Sequence, residues 1–300
     1  MSTRQMSKPP SMLPLYVKAA TQMLPGRSLL GMVPGSSLMP FVAAPGNDVP
    51  ELELAVRDMA VDPEHLAAYI KVCGLELSGQ LPATYPHALA FPMHMALMTD
   101  QRFPFPAIGL VHIENRITQH RPLGASERLS LRVSGRGLEP HPKGRKFSVI
   151  TEARVGGELV WEEASTYLRR GSGSGGDGKP AVPRSENLSV ASEWQLPGDL
   201  GRRYAAVSGD HNPIHLHGLT ARLFGYPRPI AHGMCVKARC LGAVAARLPD
   251  AYTAEARFRR PVLLPARVTF ATAQQRGEVR FGVRDAEEGT PHLDGRVSRP

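Results

Sequence analysis

Two segments in the C-terminal third of the chain carry residues that can do chemistry. The first, YAAVSGDHNPIH at 204–215, places the carboxylate of Asp210 five residues before the imidazole of His215. The second, IAHGM at 230–234, places Gly233 at the predicted start of an apolar helix. A carboxylate and an imidazole can accept and donate protons, and free N–H groups at a helix start can stabilise a developing oxyanion. Together they fit proton removal beside a carbonyl group.

The composition is that of a globular protein from a reducing compartment. Of the 300 residues 42% are hydrophobic, which is enough for a sizeable core. The cysteines, Cys73, Cys235 and Cys240, include no Cys-x-x-Cys pair, which argues against a disulfide framework and a cysteine-based zinc site. Pro, Lys and Gln interrupt the apolar run at 11–24, and no run approaches the length of a membrane span. The sequence therefore predicts no signal peptide, no membrane span and a cytoplasmic location.

The chain is basic, with a formal net charge of +9. Basic proteins often bind nucleic acid. Here the arginines are dispersed and no Lys/Arg block is interleaved with aromatic residues, so no nucleic-acid partner is expected. An ordinary solvated surface is one interpretation of the charge, and an anionic small ligand or an acidic carrier protein is the other.

A segment rich in Gly, Ser and Pro divides the chain. Residues 171–189 read GSGSGGDGKPAVPRSENLS and contain almost no apolar side chains. Such a composition is typical of a flexible linker. It separates a predicted N-terminal domain at 1–170 from a predicted C-terminal domain at 190–300.

The two domains resemble each other in sequence. YIKVCG at 69–74 aligns with YAAVSG at 204–209, and Arg121-Pro122 aligns with Arg260-Pro261 at nearly the same offset. Agreement in order and spacing favours a duplication over chance matches. The same alignment places Leu75, Leu77 and Gln80 opposite Asp210, Asn212 and His215, and Phe91-Pro92 opposite His232-Gly233. The N-terminal copy is therefore predicted to lack the acid/base pair.

Both domains show an apolar helix followed by alternating, strand-like segments. The helix begins after Gly233 and ends before Pro249 in the second domain, and covers 93–98 in the first. The predicted strands are 107–117, 127–137, 145–155 and 158–168, with a turn at Gly156-Gly157, and then 254–260, 262–273 and 277–284. This order predicts an α+β protein in which each half is an antiparallel sheet wrapped around a central helix.

The two chemical segments also resemble a known family. The pattern Tyr204-x-x-Val-Ser-Gly-Asp-x-Asn-Pro-Ile-His215 is similar to the motif of the MaoC-like dehydratases, the (R)-specific enoyl-thioester hydratases. The continuation FGYPRPIAHGM at 224–234 resembles the same family. A duplicated chain with the motif only in its second copy resembles the double hot-dog members. The resemblance implies that fold and reversible hydration of trans-2-enoyl thioesters in fatty-acid or related lipid metabolism.

The resemblance also implies a role for each matching residue. Asp210 and His215 would hold the catalytic water, and Gly233 would offer its N–H to the thioester carbonyl. Asn212 would orient the acid/base pair through its side chain. Ser208 would line the same loop. His232 is interpreted either as a supporting residue of the site or as an ordinary structural histidine. The substrate would be an acyl-CoA or an acyl carrier protein thioester, with no cofactor and no metal ion.

Two further predictions concern substrate binding. The Phe- and Met-rich segment Leu89–Met98 of the first domain would receive the acyl chain. The cluster Arg257, Arg259 and Arg260 is interpreted either as a solvated strand edge or as a clamp for phosphates or an acidic carrier. Lys237 and Arg239, on the helix after Gly233, are expected to be ordinary solvated side chains. A monomer and a homodimer are both compatible with a duplicated chain.

Four alternatives stay open at this point. The residues Asp210, His211, His215, His217 and His232 could form a metal cluster. Ser208 could be a nucleophile, although it lies outside a Gly-x-Ser-x-Gly pattern. The protein could also be a thioesterase, or a non-catalytic subunit that binds acyl thioesters or assembles a complex.

Overall fold

The computed structural model describes residues 2–22, 47–171, 188–275 and 277–300. The first half contains β1 (Ser2–Met6), α1 (Met12–Thr21), β2 (Leu52–Met59), α2 (Pro63–Cys73), α3 (Tyr85–Met98), β3 (Val111–Gln119), β4 (Leu129–His141), β5 (Gly144–Val155) and β6 (Glu158–Arg170). The second half contains β7 (Ser189–Leu196), α4 (Leu200–Ser208), a 3₁₀ turn (Pro213–His215), α5 (Gly218–Leu223), α6 (Gly233–Val244), a 3₁₀ turn (Ala245–Arg247), β8 (Tyr252–Phe258), β9 (Ala266–Gln275), β10 (Glu278–Asp285) and β11 (Pro291–Ser298). Most of the predicted linker, 172–187, lies outside the described residues.

The strands form one 11-stranded sheet with an internal pseudo-symmetry. Its order is β1-β2-β4-β5-β6-β3-β8-β11-β10-β9-β7. The five strands β2-β4-β5-β6-β3 and the five strands β7-β9-β10-β11-β8 follow the same chain order, and they meet where β3 pairs antiparallel with β8. Two copies of one motif therefore join edge to edge, so that neither central edge is left unpaired.

Each half wraps its strands around a buried helix. In the first half α3 contacts β2, β4 and β5, and in the second half α6 contacts β10. The sequence placed the first of these helices at 93–98, but α3 begins at Tyr85 and continues through Pro92. A proline inside a helix costs a hydrogen bond. Here the helix is buried on nearly all sides, and this packing outweighs the local preference of the proline.

The predicted duplication agrees with the geometry of the first matching segments. Helices α2 and α4 end at Gly74 and Gly209, whose φ angles of 67° and 76° lie in the left-handed region that glycine adopts without strain. The helices pack against each other, and the rings of Tyr69 and Tyr204 are 6.1 Å apart. The aligned tyrosines are therefore equivalent positions in the two copies.

The alignment of Leu75, Leu77 and Gln80 with Asp210, Asn212 and His215 is wrong, whereas that of Arg121-Pro122 with Arg260-Pro261 agrees with the register of the sheet. Isolated β-bridges join Gln80 to Gly124 in the first half and Ile230 to Leu263 in the second. Gln80 therefore corresponds to Ile230 and not to His215. By the same register Pro82-Ala83, not Phe91-Pro92, corresponds to His232-Gly233. The reason is a difference in length, because 75–79 connects the helix to the bridge in the first copy and 210–229 does so in the second.

Several strand limits also differ from the prediction. Strand β9 begins at Ala266 and not at 262, because Leu263 already makes the bridge to Ile230. Strands β1, β2, β7 and β11 were not predicted. The Gly156-Gly157 turn is confirmed, with both φ angles positive. Among the described residues, no helix is long and apolar enough to cross a membrane.

Candidate active site

The loop after α4 positions Asp210. Its backbone N–H donates to Ser208 Oγ at 3.1 Å, and its carboxylate Oδ1 accepts from the backbone N–H of Asn212 at 3.2 Å. Ser208 thus supports the loop as predicted. The side chain of Asn212 does not orient the pair as predicted, because its Oδ1 accepts from the N–H of Ile214 and caps the 3₁₀ turn. The Asp210 side chain remains 24% exposed and can meet a ligand.

The 3₁₀ turn brings His215 beside Asp210 and fixes its tautomer. A Cβ on Gly201 would lie 2.0 Å from the His215 carbonyl oxygen, so only glycine lets α4 pack this closely against the turn. His215 Nδ1 lies 2.7 Å from the carbonyl oxygen of Ile230. Since a carbonyl can only accept, Nδ1 carries the proton and Nε2 keeps its lone pair. Burial lowers the pKa of His215, so the ring is neutral and basic at neutral pH.

His232 connects this loop to the start of α6. Its Nε2 donates to the Asp210 carbonyl oxygen at 2.9 Å, and its ring stacks on His215 with 3.6 Å between the centroids. Burial, and then the neighbouring His215, hold the pKa of His232 well below its usual range. The predicted supporting position of His232 agrees with this geometry: the side chain touches both members of the acid/base pair.

Gly233 is the first residue of α6, at the edge of the same site. Among the described residues its N–H has no hydrogen-bond acceptor, as is usual in the first turn of a helix. A Cβ at this position would lie 2.7 Å from the Phe258 ring. Glycine is therefore required because the aromatic ring packs directly on the helix start, a reason that the sequence did not reveal.

Asp210, His215, His232 and Gly233 line one cavity of about 380 Å³. The cavity continues along the first half, where α3 contributes Phe91, Met95 and Met98 to its wall. These three belong to the segment Leu89–Met98 that the sequence assigned to substrate binding. The structure thus brings the acid/base pair of one copy and the apolar segment of the other to a single cavity.

The cavity wall is strongly cationic at one end. Its Lys and Arg side chains are Lys143, Arg170, Arg257, Arg259 and Arg260, and Asp210 is the one carboxylate among the described lining residues. Arg257 lies 3.5 Å from Glu114, and Arg259 forms a 2.6 Å ion pair with Asp294. Lys143 and Arg170 are exposed, as is Arg260. Sequence reasoning missed the first two because they reach the cavity from the other half of the chain.

A second polar cluster lies in the core between the two halves. His87 Nδ1 and Glu163 Oε1 are 2.9 Å apart, and Asn115 links Glu163 to the ammonium group of Lys237. Lys237 is fully buried, so the expectation of a solvated side chain is wrong for it. Burial lowers its pKa to about 7. Burial also raises the pKa of Glu163, but His87, His94 and Asn115 together more than offset this, and the value is about 2.

Two sets of side chains are close enough to share a metal ion. They are His87 with His94 and Glu163, and Asp210 with His215 and His232; within each set the ligand atoms lie within 4.8 Å. In the first set His94 Nε2 lies 2.7 Å from Thr151 Oγ1 and Glu163 is bonded to His87. In the second, both imidazoles bond to backbone carbonyls. In each set, one ring nitrogen of every histidine thus already bonds to a protein atom.

Comparisons with known proteins agree with this site and this fold. A family model for the MaoC-like domain matches residues 187–295. The chain is 39% identical over 253 residues to 3-hydroxyacyl-thioester dehydratase X of Mycobacterium tuberculosis, covering 84% of this chain and 90% of that protein. The crystal structure of HtdX from M. tuberculosis matches with a TM-score of 0.74 at 38% identity, covering 83% of this chain and 100% of that one.

A more distant structure supports the fold alone. An M. tuberculosis protein described as a double hot-dog has a TM-score of 0.52 and 13% identity, over 85% of this chain and 96% of its own. The double hot-dog predicted from the sequence is confirmed. With 39% identity over most of both chains, and the acid/base pair and the helix start in one cavity, this chain belongs to the MaoC-like dehydratase family.

Proposed function

We propose that this protein is a hydro-lyase that adds water reversibly to trans-2-enoyl thioesters and so forms (R)-3-hydroxyacyl thioesters. The observation that carries the proposal is the meeting of Asp210, His215 and Gly233 in one cavity. The relative from M. tuberculosis, a 3-hydroxyacyl-thioester dehydratase, supports the same reaction class and a place in fatty-acid or related lipid metabolism.

The geometry accounts for each step of the hydration. A water held between the Asp210 carboxylate and the lone pair on His215 Nε2 attacks C3 of the enoyl group. The pair accepts one proton from that water and returns one proton to C2, so the enzyme ends in its starting state. Negative charge that develops on the thioester oxygen meets the free N–H of Gly233, where the positive end of the α6 dipole adds to the stabilisation.

The reaction as proposed transfers only protons and water. A neutral His215 is needed, since a protonated ring could not accept the hydrogen bond of the attacking water; its lowered pKa favours that state at neutral pH. Protein side chains thus supply the acid/base chemistry, and no redox cofactor enters it.

The first half of the chain is proposed to bind the acyl chain. Phe91, Met95 and Met98 give an apolar wall, and methionine side chains adapt to apolar ligands of different shape. The exposed cations Lys143, Arg170 and Arg260 would bind the anionic carrier, either the phosphates of coenzyme A or the acidic surface of an acyl carrier protein. Coenzyme A and an acyl carrier protein both present negative charge to these three cations.

Crotonyl-CoA is a direct probe of the proposal. We expect the absorbance of the conjugated enoyl thioester to fall on addition of the enzyme, with the (R)-3-hydroxyacyl thioester as the product and no free thiol. Release of free thiol would instead identify a thioesterase. Thermal stabilisation by crotonyl-CoA and by the acyl carrier protein thioester, without turnover of either, would identify a non-catalytic binding subunit. Either result would contradict the proposal.

A further inference from the structure

Helix α1 lies outside both repeats and still reaches the candidate active site. Leu15 and Ala19 are buried on one side of it, whereas Leu13 and Val17 are 76% and 52% exposed on the other. Gln22, directly after the helix, accepts from the N–H of Ala107. Helix α1 thus packs against the first half with one face. That face extends from the loop that carries Asp210 towards the end of α3.

The hydroxyl group of Tyr16, on that same face, bridges the two peptide bonds beside Asp210. It accepts from the N–H of His211 at 2.6 Å and donates to the carbonyl oxygen of Gly209 at 3.2 Å. The first bond fixes the peptide after Asp210, and the second fixes the peptide before it. One hydroxyl therefore restrains both ends of the residue that carries the carboxylate.

Neighbouring contacts hold this bridge in place. A Cβ on Gly209 would lie 3.2 Å from Met12 Cγ, so α1 packs tightly on the loop. The Tyr16 and His211 rings meet edge to face at 5.8 Å. Tyr16 is a cavity-lining residue, and burial together with the charge of Asp210 keeps its pKa above the usual range. The hydroxyl thus keeps its proton and remains able to donate.

We infer that Tyr16 is a positioning residue for Asp210, supplied by an N-terminal helix that belongs to neither hot-dog repeat. This inference rests on the proposed function. Its two hydrogen bonds fix the direction of the Asp210 carboxylate, so that the bound water faces C3 of the substrate. Loss of the hydroxyl would leave the cavity and the carrier site intact, and would impair the reaction step while leaving substrate binding unchanged.

The test is Tyr16→Phe in the full chain, with the outward-facing Val17→Ala as the matched control. We expect Tyr16→Phe to lower kcat for crotonyl-CoA about tenfold or more, the scale of the loss of its two hydrogen bonds, with KM unchanged. The same substitution in an Asp210→Asn background, assayed at higher enzyme concentration, should have almost no further effect, since the group that it positions is already gone. Val17→Ala should match the wild type.

The outcomes separate this inference from the proposed function. Unchanged kcat in Tyr16→Phe overturns the inference. An equal fall of kcat in the wild-type and Asp210→Asn backgrounds also overturns it, because Tyr16 would then act independently of Asp210. A wild-type protein without hydratase activity would instead overturn the proposed function. Circular dichroism of each variant confirms that the measured protein is folded.

Discussion

The two copies differ most in the connection between their first helix and their central helix. In the first copy 75–79 crosses directly from α2 to the bridge at Gln80, and Leu77 is 76% exposed there. In the second copy 210–229 fills the same place with a 3₁₀ turn and α5, and it carries Asp210 and His215. The candidate acid/base pair thus depends on an inserted connection, whereas the central helix and the sheet are common to both copies.

The first copy places its buried polar groups elsewhere. Its connection carries no acid/base pair, but its central helix carries His87 and His94, which contact Glu163 on β6 and Thr151 on β5. Through Asn115 this cluster reaches Lys237 on the central helix of the second copy. We therefore expect different roles for the two polar clusters. The Asp210 cluster would perform the reaction, and the Glu163 cluster would hold the two halves together.

Removal of the Glu163 carboxylate should disrupt the second polar cluster without abolishing the hydration reaction. Glu163→Gln removes the buried carboxylate that bonds to His87 and, through Asn115, faces the buried Lys237, and we expect the free energy of unfolding to fall by about 3 kcal/mol. Denaturant titration measures this loss. In conditions where the variant is folded, kcat/KM should stay within about fivefold of the wild type.

The neighbouring Glu162 provides a matched control. Its side chain is 40% exposed and lies 3.7 Å from His120. Glu162→Gln should change the free energy of unfolding by less than about 0.5 kcal/mol. Equal losses in the two variants would show that the Glu163 cluster has no special role in joining the halves.

A smaller effect is expected from pH. Burial, and then His87, lower the pKa of His94 from 6.5 to about 3. Between these values the unfolded chain binds a proton that the folded chain does not, so stability is present above pH 6.5 and is lost as the pH falls towards 3. Between pH 7 and pH 5 this one group should cost about 2 kcal/mol.

Substitution of His94 isolates that contribution. His94→Asn should reduce the loss of unfolding free energy between pH 7 and pH 5 by about 2 kcal/mol relative to the wild type. The exposed Val17→Ala removes no titratable group and should leave the pH dependence as it is in the wild type. Parallel pH profiles for the wild type and His94→Asn would contradict a neutral, buried His94.

The sequence predicted the parts of the site that are local along the chain. Asp210, His215 and Gly233 lie within two short segments, and the turn chemistry of Gly209 and Asn212 can be seen in the letters. The repeated helix–meander pattern predicted a sheet wrapped around a central helix in each half for a similar reason, and the resemblance to the MaoC-like dehydratases implied the double hot-dog. Periodicity and glycine positions are local signals, and they fix the type of element well.

Contacts between distant segments could not be predicted in this way. Tyr16 meets the loop that carries Asp210 across 195 positions, and Lys237 meets Asn115 across 122. A single sequence does not distinguish a buried lysine on a helix from a solvated one. The alignment of Gln80 with His215 failed because a single sequence does not show where one copy has an insertion. The β-bridges of the sheet give the true correspondence.

The most direct test of the account is kcat/KM for enoyl-thioester hydration in Asp210→Asn, His215→Asn and the double variant. The account predicts a loss of about 100-fold or more in each single variant, and a double variant little worse than the poorer single one, because the two groups act as a unit. Each variant should keep the wild-type fold. A folded double variant that retains more than about a tenth of the wild-type activity would contradict a single catalytic site in the second copy.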